Sequence, residues 1–108
     1  MLNWYKNLYM GNTAKKKEKH IRRKVNAGKP AIGVYLITLA ANPQNHLEII
    51  SAIQLQQKMI RERCPMIVGL AEGYEEALEL IEKIAIEVYK ETGEMDIRSW
   101  ILKNQERV

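Results

Sequence analysis

A chain of 108 residues can bury one hydrophobic core but not two, so a single domain is expected. With 46% hydrophobic and 28% charged residues it is not a disordered polyelectrolyte, and because Phe is absent its interior must be filled by Ile, Leu, Val, Tyr and Met. The net charge of +4 hides an asymmetry that excludes an evenly mixed surface: residues 1–30 hold nine Lys/Arg and one acid, and residues 31–108 hold eight Lys/Arg and twelve acids.

The chain opens with MLNWYKNLYMG. Leu2, Trp4, Tyr5, Leu8 and Tyr9 recur at spacings of three and four, which predicts one face of a short helix stopped by Gly11. No apolar core of a secretory signal is present in residues 1–30, so none is expected to direct export. Asn12 and Thr13 are candidate N-caps for a second helix over 14–27, with Gly28 as its stop. That helix has a thin apolar stripe, Ala14, Ile21 and Val25, so most of it should face solvent. Its many cations repel one another at i,i+3 and i,i+4 spacings, and those in the first turn oppose the helix dipole. It therefore needs an anionic partner.

Pro30 forces a new element. Residues 31–40, AIGVYLITLA, read as a strand buried on both faces and hence central. The apolar stretch 31–41 falls well short of the roughly 20 residues that span a bilayer, so no membrane insertion is expected. NPQN at 42–45 is a turn. Residues 46–63 are open to two readings: a strand returning across that turn, or the start of a helix. The β-branched Ile49, Ile50 and Ile53 favour a strand over 47–52 followed by a helix over about 54–63. Pro65 closes that helix, and MIVGLA at 66–71 is another strand. The segment 74–93 is the clearest helix. Ala77, Leu78, Leu80, Ile81, Ile84, Ala85, Val88 and Tyr89 form its expected core face, and Gly93 is its stop. Met95, Ile97, Trp100 and Ile101 should dock a last turn or two. The order predicts a small α/β (or α+β) domain: a two- to three-stranded sheet packed by the long C-terminal helix, with two N-terminal helices. Residues 1–29 form its basic, aromatic-containing helical segment and residues 30–108 its acidic body.

Eight of the seventeen Lys and Arg fall within residues 15–29: Lys15, Lys16, Lys17, Lys19, Arg22, Arg23, Lys24 and Lys29. On a helix such a run neutralises phosphates and releases counterions, which makes nucleic acid the leading candidate partner, through its backbone. Trp4, Tyr5 and Tyr9 lie close in sequence and would stack on bases if the ligand were single-stranded. The bland alternative is a solvated face, or one packed against Glu75, Glu79, Glu82 and Glu87 of the long helix. The thin apolar stripe argues against a membrane surface as the anion. GLAEGYEEA is a strand-to-helix turn without phosphate-loop spacing, and its acids would repel phosphate. His20, His46 and Cys64 have no metal-ligand spacing, and Cys64 has no histidine near it in sequence to act as base. The lone Cys64 fits a reducing, cytoplasmic setting. No catalytic motif, metal site or cofactor is expected. The sequence points to a small non-enzymatic binding protein, an accessory protein touching nucleic acid through its basic helix. The alternative is a structural or adaptor protein that self-associates as a homo-oligomer or binds an acidic partner. In that case Leu2, Trp4, Tyr5 and Leu8 would bury against a second copy or another protein.

Overall fold

A computed structural model describes residues 2–107. Four strands form one sheet: β1, Trp4–Met10; β2, Val34–Leu39; β3, Leu47–Ser51; and β4, Ile67–Glu72, in the spatial order β1-β4-β2-β3. The helices are α1, Asn12–Lys15; α2, Glu18–Asn26; α3, Lys58–Glu62; α4, Tyr74–Thr92; and α5, Ile97–Glu106. The class is the mixed α/β one expected, with a larger sheet.

The β-branched, apolar strands β2 and β4 lie in the middle of the sheet. They pair antiparallel to each other, as β2 does with β3, whereas β1 joins β4 in parallel. Strand β2 presents alternate residues to opposite faces, whereas in β4 Ile67 and Leu70 face one core and Val68 the other, across a register shift. Val34 and Leu36 of β2 enter one core with Ile21, Val25, Ala52 and Leu55; Ile37 and Leu39 enter the other with Leu80, Ile84, Val88, Ile97 and Ile101. The sheet is thus sandwiched: α1, α2, α3 and a 3₁₀ turn at Ala52–Gln56 cover one face, and α4 and α5 cover the other.

The N-terminal helix expected from residues 1–10 is instead β1. Trp4, Leu8 and Met10 pack toward the first core and Tyr5 and Tyr9 toward the second. Apolar pairs, Trp4–Tyr5 and Leu8–Tyr9, flank exposed Lys6 and Asn7, and because each pair serves both faces they recur at spacings that a helix would also give. The pairing with β4 shifts register between Trp4 and Tyr9. The unpaired edge of β4 supplies hydrogen bonds that an isolated short helix lacks.

The basic helix forms but is broken at Lys16 and Lys17. The repulsion among Lys15, Lys16, Lys17 and Lys19 is relieved there, and Lys17 turns to Glu72 at 3.2 Å. The turn after β2 closes as expected, with the Asn42 side chain accepting the Gln44 N–H at 3.0 Å, and 47–51 is a strand. The helix expected over 54–63 splits into the 3₁₀ turn, capped by Ser51, and the single turn of α3.

In α4, Ala77, Leu80, Ile84 and Val88 are buried at i,i+3,i+4 spacing, each large side chain contributing about 1.5–3 kcal/mol. Leu78 and Tyr89, expected in the core, are 48% and 57% exposed. Gly93 ends α4 in the left-handed conformation, φ 75°. The C-terminal helix α5 is longer than a turn or two. Asp96 caps it by accepting the Ser99 N–H at 3.2 Å, while Met95 is exposed rather than docked.

Candidate nucleic-acid interface

The cationic segment is anchored by a carboxylate. Strand β1 leads into Gly11, whose N–H donates to the Leu70 carbonyl at 2.8 Å. Gly11 has no room for a Cβ, because the Glu76 carboxylate lies against its Cα. That carboxylate accepts the N–H groups of Thr13 at 2.7 Å and Ala14 at 3.4 Å, capping α1 from across the fold, and the Glu72 N–H at 2.6 Å. Desolvation works to raise the Glu76 pKa, but these donors together outweigh it and hold the pKa below its ordinary value. With Ala14, Ile21 and Val25 fixed inward, Arg22 and Asn26 turn to Trp4 of β1, and most of the remaining side chains of α1 and α2 are exposed.

Lys15, Lys16, Lys17, Lys19, Arg23 and Lys29 are exposed, and Arg22 and Lys24 are half-buried. Two of the eight have carboxylate partners: Lys17 with Glu72, and Arg22 with Glu18, also at 3.2 Å. Among the described residues, Lys15, Lys16, Lys19, Arg23, Lys24 and Lys29 make no ion pair. Glu75, Glu79, Glu82 and Glu87 belong to the opposite layer and none forms an ion pair with the run. The two surface pairs present are worth at most about 1 kcal/mol each. Residues 15–20 line an open depression of about 490 Å³ where α1 gives way to α2.

The aromatic residues are placed differently from the stacking expectation. Trp4 donates its indole N–H to Asn26 Oδ1 at 2.8 Å, and the Arg22 guanidinium sits 4.8 Å above its ring. Tyr5 is 2% exposed in the second core. Tyr9 stacks on Tyr5 and donates its hydroxyl to Glu87; burial foremost, then that bond, pushes its pKa up. Tyr5 is thus closed to bases, which corrects that reading for it, and Trp4 and Tyr9 are half-buried and held in these internal contacts. Leu2, Trp4 and Leu8 are half-buried against the first core, so no apolar helix face exists there.

At the carboxyl ends of the parallel neighbours β1 and β4, the chain leaves for opposite faces of the sheet. Crevices of this kind hold ligands in open α/β sheets. Here it is lined by Glu72, Glu75, Glu76 and Glu79, so it does not suit phosphate. Cys64 is half-buried, its thiol pushed up by burial and pulled down less by Arg61, and it donates to the Pro65 carbonyl at 3.4 Å. Its depression contains neither histidine. His46 accepts the Arg98 N–H at Nδ1, 3.4 Å away, and lies 3.9 Å from Asp96. Among the described residues no group of three or more His, Cys, Asp or Glu is placed to hold a metal ion, and no helix is long and apolar enough to cross a membrane.

Sequence reasoning missed Glu76 and Arg98 as organising residues. Glu76 occupies the third helical position of α4, where an acid folds back on the preceding backbone, and this signal was readable. The Arg98 guanidinium binds the carbonyls of Ala40, Asn42 and Asn45, clamping the β2–β3 turn, and nothing local announces it. Comparison with known proteins finds no matching family, no matching curated protein and no matching solved structure.

Proposed function

We propose that the chain is a non-enzymatic accessory protein that grips the phosphate backbone of nucleic acid with the outer face of α1 and α2 and the loop that follows them. The observation that carries this reading is the set of six cations without a carboxylate partner among the described residues. Their layer is strongly one-signed: residues 12–29 and 52–65 hold eleven Lys/Arg and two acids. A field of that kind attracts a polyanion, and contact releases its condensed counterions. The aromatic rings are engaged internally, so affinity comes from phosphate rather than base stacking, and sequence preference is weak.

The test is fluorescence anisotropy with labelled duplex DNA and RNA across a salt series. Six contacts correspond to a log–log slope of about −5 and a loss of about a thousandfold between 50 and 200 mM salt. Changing Lys15, Lys16 and Lys19 together to Gln lowers the slope by about three and leaves stability within about 0.5 kcal/mol. Salt-independent binding, or none at 50 mM salt, removes the reading.

A second reading, an adaptor that self-associates or binds an acidic partner, is favoured by the charge of the opposite layer. Residues 74–106 hold nine acids and four Lys/Arg, so the basic layer of one copy complements the acidic layer of the next. Light scattering checks it: a mass above the monomer that falls as salt rises supports the contact, and a monomer at low salt ends it.

A further inference from the structure

The two edges of the sheet, β1 and β3, are finished differently. At the β1 edge the Lys6 N–H donates to the Gln105 side chain at 2.9 Å, and the Lys6 ammonium binds the Arg107 carbonyl. A lysine and the end of α5 thus close that edge to further strands. The β3 edge has no such guard. Ala40 donates to the His46 carbonyl at 3.0 Å, and in an antiparallel ladder this bonding recurs at every second residue, so Glu48 and Ile50 bond to β2. Leu47, Ile49 and Ser51 therefore turn their N–H and C=O groups outward, where no group among the described residues meets them. The strand, LEIIS, contains neither lysine nor proline. Apolar side chains border it on both faces. On one, Ile50 lies beside Met59 of α3, which is 64% exposed. On the other, α4 carries a second apolar stripe, Tyr74, Leu78, Ile81, Ala85 and Tyr89, which no charged residue interrupts. Glu87, on the opposite flank of α4, bonds Tyr9 of β1, so this stripe looks toward β3. It begins at Tyr74, whose ring packs edge-on against Tyr35, the β2 neighbour of Ser51, and it runs back along the strand.

We infer that the β3 edge receives the β3 edge of a second copy, antiparallel about a two-fold axis through Ile49, so that two four-stranded sheets become one. In that register Ile49 meets Ile49 of the second copy and Leu47 meets its Ser51, and every outward-facing residue gains a donor and an acceptor. Any slip leaves an end residue unmatched. The same axis sets the α4 stripes toward each other above Ile49, with Tyr74 of one copy on the side of Tyr89 of the other. The edge is its own complement, which is what selects a second copy over an unrelated strand. Half-exposed side chains such as Tyr74, Leu78, Tyr89 and Met59 each offer on the order of 100 Å², and with the strand between them they come near the roughly 800 Å² per partner of a standard interface. This deepens the self-associating reading, but the contact is apolar and hydrogen-bonded rather than one between charged layers.

Light scattering and residue-resolved hydrogen exchange on the full chain, across protein and salt concentrations, test this. The mass should be that of a dimer at high protein concentration and stay so as salt rises to about 500 mM, where exposed charges are screened. The Leu47 and Ile49 amides should exchange at least about tenfold more slowly in the dimer than at dilutions giving monomer, while the Glu48 and Ile50 amides, already bonded to β2, change little. Leu47→Pro removes one outward donor at the first residue of an edge strand, where proline is tolerated, and should shift the mass to monomer. Leu78→Lys, at an exposed position of α4, should weaken the dimer at least about tenfold. A monomer under all conditions overturns the inference. A dimer that dissolves as salt rises assigns association to the charged layers and overturns it as well. So does a salt-resistant dimer in which the Leu47 and Ile49 amides still exchange freely, or one that both substitutions leave intact.

Discussion

The two layers that cover the sheet are built on opposite terms. The acidic layer rests on α4, nineteen residues long, with Ala77, Leu80, Ile84 and Val88 set into the sheet. The basic layer is made of short pieces, α1, α2, the 3₁₀ turn and α3, held by a few small or branched side chains. A long amphipathic helix carries its charges on a face that packing has already stabilised. The basic pieces lack that reserve and are tied to elements beyond their own layer: Glu76 of α4 caps α1, and Lys17 reaches Glu72 at the end of β4. The difference teaches that the charge on α1 and α2 is a burden on stability rather than a source of it, so its presence calls for another explanation.

Removing a core anchor from each layer gives the sharpest contrast. Ile84→Ala should cost about 3 kcal/mol in urea denaturation and speed hydrogen exchange throughout the sheet. Ile21→Ala should cost about 2 kcal/mol, with faster exchange confined to α1 and α2. If both variants speed exchange uniformly, the layers are a single cooperative unit and the contrast dissolves. Gly11→Ala drives a methyl group into the Glu76 carboxylate. It should cost about 2 kcal/mol and loosen α1 while leaving α4 protected; full stability would mean that the carboxylate moves aside freely. Glu76→Gln is the mildest cut. Because the folded pKa of Glu76 lies below its unfolded value, its contribution is present above the unfolded pKa and is lost as pH falls through the folded one. Stability of the parent should therefore drop more steeply than that of Glu76→Gln on acidification below the ordinary carboxylate pKa. Parallel curves would show that the cap carries no proton linkage.

What was legible from sequence followed from burial with a clear period. The strands at 34–39 and 67–72 are apolar on both faces, and the helix at 74–92 has a broad stripe with acids in its first turn and glycine past its end. The first strand misled because Trp4, Tyr5, Leu8 and Tyr9 serve two cores at once across an irregular register, and such a pattern fits a helix equally well. The exposure of most of the basic run was readable from its thin stripe, Ala14, Ile21 and Val25. Its distant partner was not: Glu72, which pairs with Lys17, lies more than fifty residues away, and no local pattern encodes that distance.

Strand β1 also sets an order of events. Its hydrogen-bonding neighbour β4 begins at Ile67, some sixty positions downstream, so during synthesis the cationic segment emerges long before the strand that seats it exists. Until then residues 15–29 trail as an unanchored polycation beside the ribosome, and the apolar side of β1 stays open. A chain with this topology completes its first strand among the last of its acts.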